Sequence, residues 1–235
     1  AVLSDPEAAG AGQDWVTGQE PGIAWLFPEV DHNPRVKALR VAIKHLAGQK
    51  VELSVNGKPV NPLAFDGTKK SADGKIRVST WRGIEIEERT NVFMARVIDQ
   101  NGALVQQLER KVHYAGSPLN AELLRDRSVL VADGVTRPVI AVRLTDRAGK
   151  PARNGMVGDF SVPAPYAPAI EIDAQQANQL AGLERGAPVW RVEGEEGIAY
   201  IELAPTTASG SLSISFPFRD GEVERTQRIE TWLDP

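Results

Sequence analysis

The chain has no cysteine. That removes disulfides, thiolate metal sites and cysteine nucleophiles from consideration. It leaves the compartment open, because cytosolic and envelope proteins alike can lack the residue. Histidine is nearly as scarce, with His32, His45 and His113 standing apart. They show no H-x-x-x-H spacing, and Asp31 with His32 reads as a loop turn rather than a ligand pair. G-x-S-x-G is missing too, and Ser209 to Ser211 reads as a turn before a strand. No apolar run approaches the ~18–20 residues of a membrane span. Net charge is −4 with basic residues scattered, so there is no electrostatic footprint for nucleic acid.

What the chain does contain is turn chemistry. Its 21 Gly and 16 Pro favour many short strands over long helices. The 42% apolar content is enough for a core, and 235 residues suit two ordinary domains or one large all-β domain. The stretch from Ser128 to Phe160 shows the pattern best. Ser128–Ala132 is a short apolar run ended by Asp133-Gly134. Ile140, Val142 and Leu144 then alternate with Ala141 and Arg143 up to a turn from Asp146 to Gly149. Period-two alternation closed by Asp and Gly is the signature of antiparallel strands.

Residues 1–22 are rich in Ala, Gly and acid and are expected to form a flexible leader or linker, with Trp15 able to dock as a short added strand. The chain starts at Ala1 without a signal segment, so it reads as a processed or excised piece of a longer protein. From Ile23 the strands follow closely. Ala24–Phe27 is one. Leu39, Val41 and Ile43 mark the second, and Val51, Leu53 and Val55 the third. Asn56-Gly57 then supplies the two residues tolerant of positive φ that a type I′ hairpin needs. Asn61–Lys75 reads as looser. Ile76–Trp81 with Gly83–Ile86, as one strand or a pair, then Val92–Ile98 and Leu104–Tyr114 complete about seven strands, the count of an immunoglobulin-like sandwich over residues 23–115.

Ala115 to Pro118 is a natural joint, and a second sandwich is expected over residues 119–235. Gly158–Val162, Val189–Val192, Gly197–Leu203, Gly210–Phe218 and Glu222–Leu233 are its later strands. The proline-rich segment Pro163–Pro168 cannot sit in a central strand. With Ile172–Leu183, a short helix or ordered loop, it forms an insertion over 163–183. A weak echo aligns Phe93–Gly102 with Ile140–Gly149, sharing Arg, Asp and Gly positions. Shared hairpin chemistry explains it better than duplication. The fold class is therefore all-β: two tandem immunoglobulin-like sandwiches behind a leader.

The run Ala132 to Gly134, then Pro138 to Asp146, Gly149 to Pro151 and Asn154-Gly155 resembles bacterial Ig-like domains of the invasin/intimin type. Gly197 to Leu203 followed by Pro205 to Gly210 resembles that family's ending. The resemblance covers the chain from near Leu119 to the end, and the 163–183 insertion departs from it. It implies a repeat module of a large bacterial envelope or surface protein, outside the cytoplasm, acting as a stalk, spacer or adhesive unit. Such modules carry no catalytic residues to transfer.

The remaining side chains offer sharper chemistry only weakly. Glu85, Glu87 and Glu88, and Glu193, Glu195 and Glu196, offer carboxylate pairs of the glycosidase kind, but each cluster borders a strand or turn and reads as a solvated face. Asp99, Asp133, Asp146 and Asp173 carry oxygens for Ca²⁺, without a D-x-D-x-D-G loop. No catalytic, cofactor or metal residues are therefore assigned, and no cofactor is expected. Trp25, Trp81, Trp190 and Trp232 either fill the cores or stack on sugar faces. Tyr166, Trp190 and Trp81 are the candidate partner-binding residues. The expected partners are neighbouring domains of the same polypeptide, then a surface protein or glycan. A carbohydrate-binding module and an accessory domain of an envelope enzyme are the alternatives to a stalk.

Overall fold

The computed structural model describes residues 14–173 and 188–235. The chain divides into two compact units, Ala1–Tyr114 and Ala115–Pro235. The protein is all-β, as the strand pattern led one to expect.

In the first unit the strands are β1 (Ala24–Phe27), β2 (Ala38–Leu46), β3 (Lys50–Val55), β4 (Lys58–Pro59), β5 (Phe65–Lys70), β6 (Ile76–Glu85), β7 (Thr90–Ile98) and β8 (Leu104–His113). They form two four-stranded sheets, ordered β1-β2-β6-β5 and β4-β3-β7-β8, with every pairing antiparallel. This is the order of an immunoglobulin sandwich, with strands one, two, five and four of the seven-strand plan facing three, six and seven. The extra strand is β4, which follows the Asn56-Gly57 turn. Both turn residues have positive φ, 51° and 77°, so the hairpin is of the expected kind.

Alternation supplies the core. Leu39, Val41 and Ile43 of β2 and Trp81 of β6 meet Val51 and Leu53 of β3 and Phe93, Ala95 and Val97 of β7. The space between two such sheets is about 10 Å, and side chains from both faces fill it.

Ile76 to Glu85 is one continuous strand, the first of the two alternatives left open for that stretch. Two expectations from the sequence are corrected here. The looser segment 61–75 holds a short 3₁₀ turn, Pro62–Ala64, and the edge strand β5. The end of the leader is ordered: Asp14–Thr17 is a helical turn, α1, whose Val16 is fully buried against Ile76 and Val78. Those two residues lie on the face of β6 opposite Trp81 and need an apolar cover, which Val16 provides. Residues 1–13 lie outside the described residues.

A buried amide holds the end of this sandwich. Asn91 is wholly inaccessible. Its Oδ1 accepts from the Glu87 backbone N–H at 2.9 Å and from Asn56 Nδ2 at 3.0 Å. Its Nδ2 faces the carbonyls of Glu87, Arg89 and Val112. Asn56 in turn accepts from the Val92 N–H at 2.9 Å. One knot thus ties the β3–β4 turn, the β6–β7 loop and β8.

The second unit contains β9 (Asn120–Leu123), β10 (Val139–Thr145), β11 (Val157–Asp159), β12 (Val189–Glu193), β13 (Ile198–Glu202), β14 (Gly210–Asp220) and β15 (Val223–Leu233). One sheet runs β11-β12-β13-β10-β9, and β14-β15 is a long hairpin. Two bridges widen the hairpin: Ser161 pairs antiparallel with Ser215, and Val131 pairs parallel with Asp234. Leu212, Ile214, Phe216 and Phe218 fill the space between, each at most 4% exposed, against Ile140, Val142 and Leu144.

Ser128–Ala132 is not a full strand here. It makes isolated bridges at Val129 and Val131, whereas β9, ahead of it, pairs with β10. Residues 169–173 are helical, and the rest of the expected 172–183 helix or loop lies outside the described residues from 174 on.

The Asp-x-x-Gly echo is a local motif. Asp99 Oδ1 accepts from the amides of Asn101 and Ala103, and Asp146 Oδ1 from those of Ala148 and Lys150, all within 3.0 Å. Asp99 closes the hairpin of β7 and β8, while Asp146 follows β10, the second strand of its unit. The two turns therefore occupy unlike places in their sandwiches and share chemistry, not position.

Asn91→Ala is expected to cost on the order of 2–3 kcal/mol of stability, because it strands several buried backbone groups at once. Urea unfolding measures this. A change within about 0.5 kcal/mol, the range of surface substitutions, would refute the role assigned to the knot.

Candidate functional site

Trp81, Trp190 and Tyr166 all belong to the cores, at 5%, 4% and 9% exposure. All three candidate partner-binding side chains therefore pack within their units instead of standing out on the surface. Trp81 packs edge-on against Phe65 with ring centroids 5.5 Å apart. The Trp190 indole lies over Gly158, its cross-strand partner. A Cβ at Gly158 would come within 2.3 Å of that ring, so the glycine is what gives the indole its seat. Tyr166 donates its hydroxyl to the Ala208 carbonyl at 3.1 Å. Its proline-rich segment is pinned further by the Ala204 N–H to Ala167 carbonyl bond at 2.9 Å.

Of the five tryptophans only Trp232 exposes more than half of its surface. It sits opposite Ser211 on the polar face of the β14–β15 hairpin. A planar pair of exposed indoles, which a sugar platform would use, does not occur among the described residues.

The feature that does concentrate chemistry is a cleft in the first unit. β4 is only two residues long and carries Pro59, so it pairs with β3 only at Ser54 and Val55, with one more bond from the Val60 N–H to the Leu53 carbonyl. Among the described residues, the rest of β3 has no strand beyond it on that side. A cavity of about 860 Å³ opens there. Val51 and Leu53 line it from one sheet, and His45, Arg77, Ser79 and Trp81 from the other.

A chain of hydrogen bonds runs along this second wall. Thr68 Oγ1 lies 3.0 Å from Ser79 Oγ, and Ser79 Oγ lies 2.8 Å from His45 Nε2. His45 Nδ1 is 3.1 Å from the Leu46 carbonyl. That carbonyl can only accept, so Nδ1 carries the proton and a neutral ring accepts the Ser79 hydroxyl through Nε2. The His45 pKa is lowered from its ordinary 6.5, chiefly because burial disfavours the charged ring. The Leu46 carbonyl works the other way, and the Arg77 charge adds to the lowering. A serine bonded to a histidine is half of a nucleophilic arrangement. Here a backbone carbonyl orients the ring where such sites use a carboxylate, and Ser79 is itself buried. The chain of bonds holds β2, β5 and β6 together.

This wall was not foreseen from the sequence, although a signal was present. His45 continues the period of Leu39, Val41 and Ile43, and Arg77 and Ser79 continue that of Trp81. All were therefore due to point inward. The other histidines are peripheral: His113 Nδ1 bonds Thr90 Oγ1 at 2.8 Å, and His32 packs edge-on against Phe27. Among the described residues no group of three or more His, Asp or Glu is placed to hold a metal.

No protein-family model and no curated protein matches the chain. Among solved structures it is similar to a glycosyl hydrolase family 2 member from Bacteroides cellulosilyticus, at 17% identity and a TM-score of 0.40, over 83% of this chain and 23% of that one. It is similar to a β-glucuronidase of the same hydrolase family at 17% identity and 0.37, over 92% of this chain and 20% of that one. It is also similar to FdeC, an Escherichia coli adhesin, at 14% and 0.31, over 83% of this chain and 60% of that one. The chain thus spans about a fifth to a quarter of the first two structures. At such values none of them assigns a family or an activity.

Neutral His45 makes stability depend on pH. With the folded pKa below the unfolded one, the unfolded chain binds the proton more readily. The associated stability is complete above the ordinary pKa and is lost as pH falls through the lowered value. His45→Gln is expected to shrink the fall in unfolding free energy between about pH 7.5 and about pH 5, measured by urea titration. Equal falls in both proteins would contradict the neutral assignment.

Proposed function

We propose that the chain is a non-enzymatic structural or adhesive module, a stalk or interaction segment of a larger bacterial cell-envelope protein. Its second unit is read as an invasin-type Ig-like domain. The leading support is how the second unit closes on itself. Leu130 to Ala132 lies parallel to the last residues of the chain, with the Ala132 N–H donating to the Asp234 carbonyl at 2.7 Å and the Asp234 N–H to the Leu130 carbonyl at 3.0 Å.

Parallel neighbours near opposite ends of a domain respond to tension in a particular way. Pulling on the two ends first loads β9, which is paired with β10 ahead of this segment. Beyond it, the pull draws the two segments in opposite directions along their length, so the bonds between them are loaded together in shear. An antiparallel hairpin pulled at its open end would instead lose its bonds singly, in succession. A domain closed in shear suits a spacer that transmits force. The aromatic side chains are consistent with this reading, because Trp81, Trp190 and Tyr166 are committed to the cores. On this reading, contacts with neighbouring domains, a surface protein or a glycan fall to the loops at the sandwich ends.

Single-molecule pulling through the chain ends tests it. Two unfolding events are expected, one for each unit. Ala132→Pro, which removes the donor to Asp234, is expected to lower the force of one event and leave the other unchanged. Unchanged forces for both events would count against a closure that carries tension.

A further inference from the structure

We propose that the cleft of the first unit is a binding site for a small amphipathic carboxylate, an acid with one carboxylate and an aromatic or aliphatic body. This goes beyond the stalk reading and does not depend on it. Three observations carry it: the size of the cleft, an unused donor in its wall, and its balance of charge.

The cleft holds about 860 Å³, within the range of about 300–1,000 Å³ typical of small-molecule sites. It is a gap that the fold leaves at a defined place, where β4 stops and β3 continues. Its apolar surface comes from Val51, Leu53, Phe65 and Trp81. Phe65 is half exposed there although its ring meets Trp81, so a ligand body would cover aromatic surface that now faces the opening.

The unused donor is Arg77. Its side chain lines the cleft, and its Nη1 is buried without a hydrogen-bond partner. A buried guanidinium nitrogen left unpaired is costly, and the fork geometry of arginine matches a carboxylate. Across the cleft lining, Lys50, Arg77 and Arg96 face only one acid, Glu52. Glu52 and Arg96 are paired with each other at 3.3 Å, and Lys50 is exposed to solvent. With His45 neutral, Arg77 is the cation left facing the interior. One half-buried cation, its Nη1 shielded from solvent, beside apolar surface selects a singly charged anion with an apolar body, rather than a polyanion or an unsubstituted sugar. Thr68, whose hydroxyl ends the Ser79–His45 chain, keeps acceptor capacity for a donor on the ligand.

The test follows amide chemical shifts of the full chain during titration with phenylbutyrate and, separately, with phenylbutanol, which keeps the body and lacks the charge. Phenylbutyrate is expected to give saturating shifts at residues around the cleft, with affinity at least about tenfold above the alcohol's. Arg77→Gln is expected to bring the acid down to the alcohol's level and leave the alcohol unchanged. Arg77→Lys, which keeps the charge and loses the fork, is expected to fall between, and it serves if the glutamine variant does not fold. The proposal is overturned if phenylbutyrate fails to saturate by about 10 mM. It is equally overturned if acid and alcohol bind alike, or if the acid's affinity survives loss of the arginine fork unchanged.

Discussion

Two β-sheets stay together only while the space between them is filled from both sides, and this constraint sets nearly everything else in the molecule. Along a strand, alternate side chains point to opposite faces, so every second residue must suit a dry slab. In β14 the inward column is Leu212, Ile214, Phe216 and Phe218, with serines between the first three. In β2 it is Leu39, Val41, Ile43 and His45. The constraint draws the large aromatics inward: Trp81 and Trp190 are core side chains because an indole seals more of the slab than any other residue. It also decides which polar groups can follow them. His45, Ser79 and Asn91 are buried, and each is bonded to other protein groups, since a buried polar group without a partner is costly.

The turns and loop ends do the complementary work of fixing register. A slip of one residue would turn each inward column out to solvent, so the hairpins need defined geometry. Asp99 and Asp146 each cap the amides two and four residues on, and the Asn56-Gly57 turn supplies two positive φ values. The Asn91 knot does the same for three loop ends at once. Such devices fix register and not length: β4 follows the Asn56-Gly57 turn yet ends at Pro59, and the cleft opens beside it.

These two influences explain what could be read from the sequence. Strands with a full inward column, such as β2, β3, β10 and β14, were legible because burial writes a period of two into them. Two edge strands, β5 and β9, were not. β5, with the sequence FDGTKK, and β9, with NAEL, join the sheets through backbone hydrogen bonds and carry little apolar pattern. The α1 turn is visible only through Val16, one apolar residue whose partners are Ile76 and Val78, far along the chain. Tyr166, Trp81 and Trp190 show the other limit. An aromatic in a β pattern announces a large apolar surface, but whether it meets solvent depends on neighbours such as Gly158, which the local sequence does not reveal. The cleft was partly legible, through the continued period that places His45, Arg77 and Ser79 inward. Its existence rests on the early end of β4, which periodicity does not report.

On the proposed reading, two immunoglobulin-like units with aromatic side chains committed to their cores, the second closed by parallel segments, serve as a mechanical module outside the cytoplasm. The most direct test is protease accessibility in the cells that make the protein. Digestion of the chain in spheroplasts, with cytosolic markers intact, is the expected result. Protection until the inner membrane is lysed would place the chain in the cytoplasm and contradict an envelope stalk.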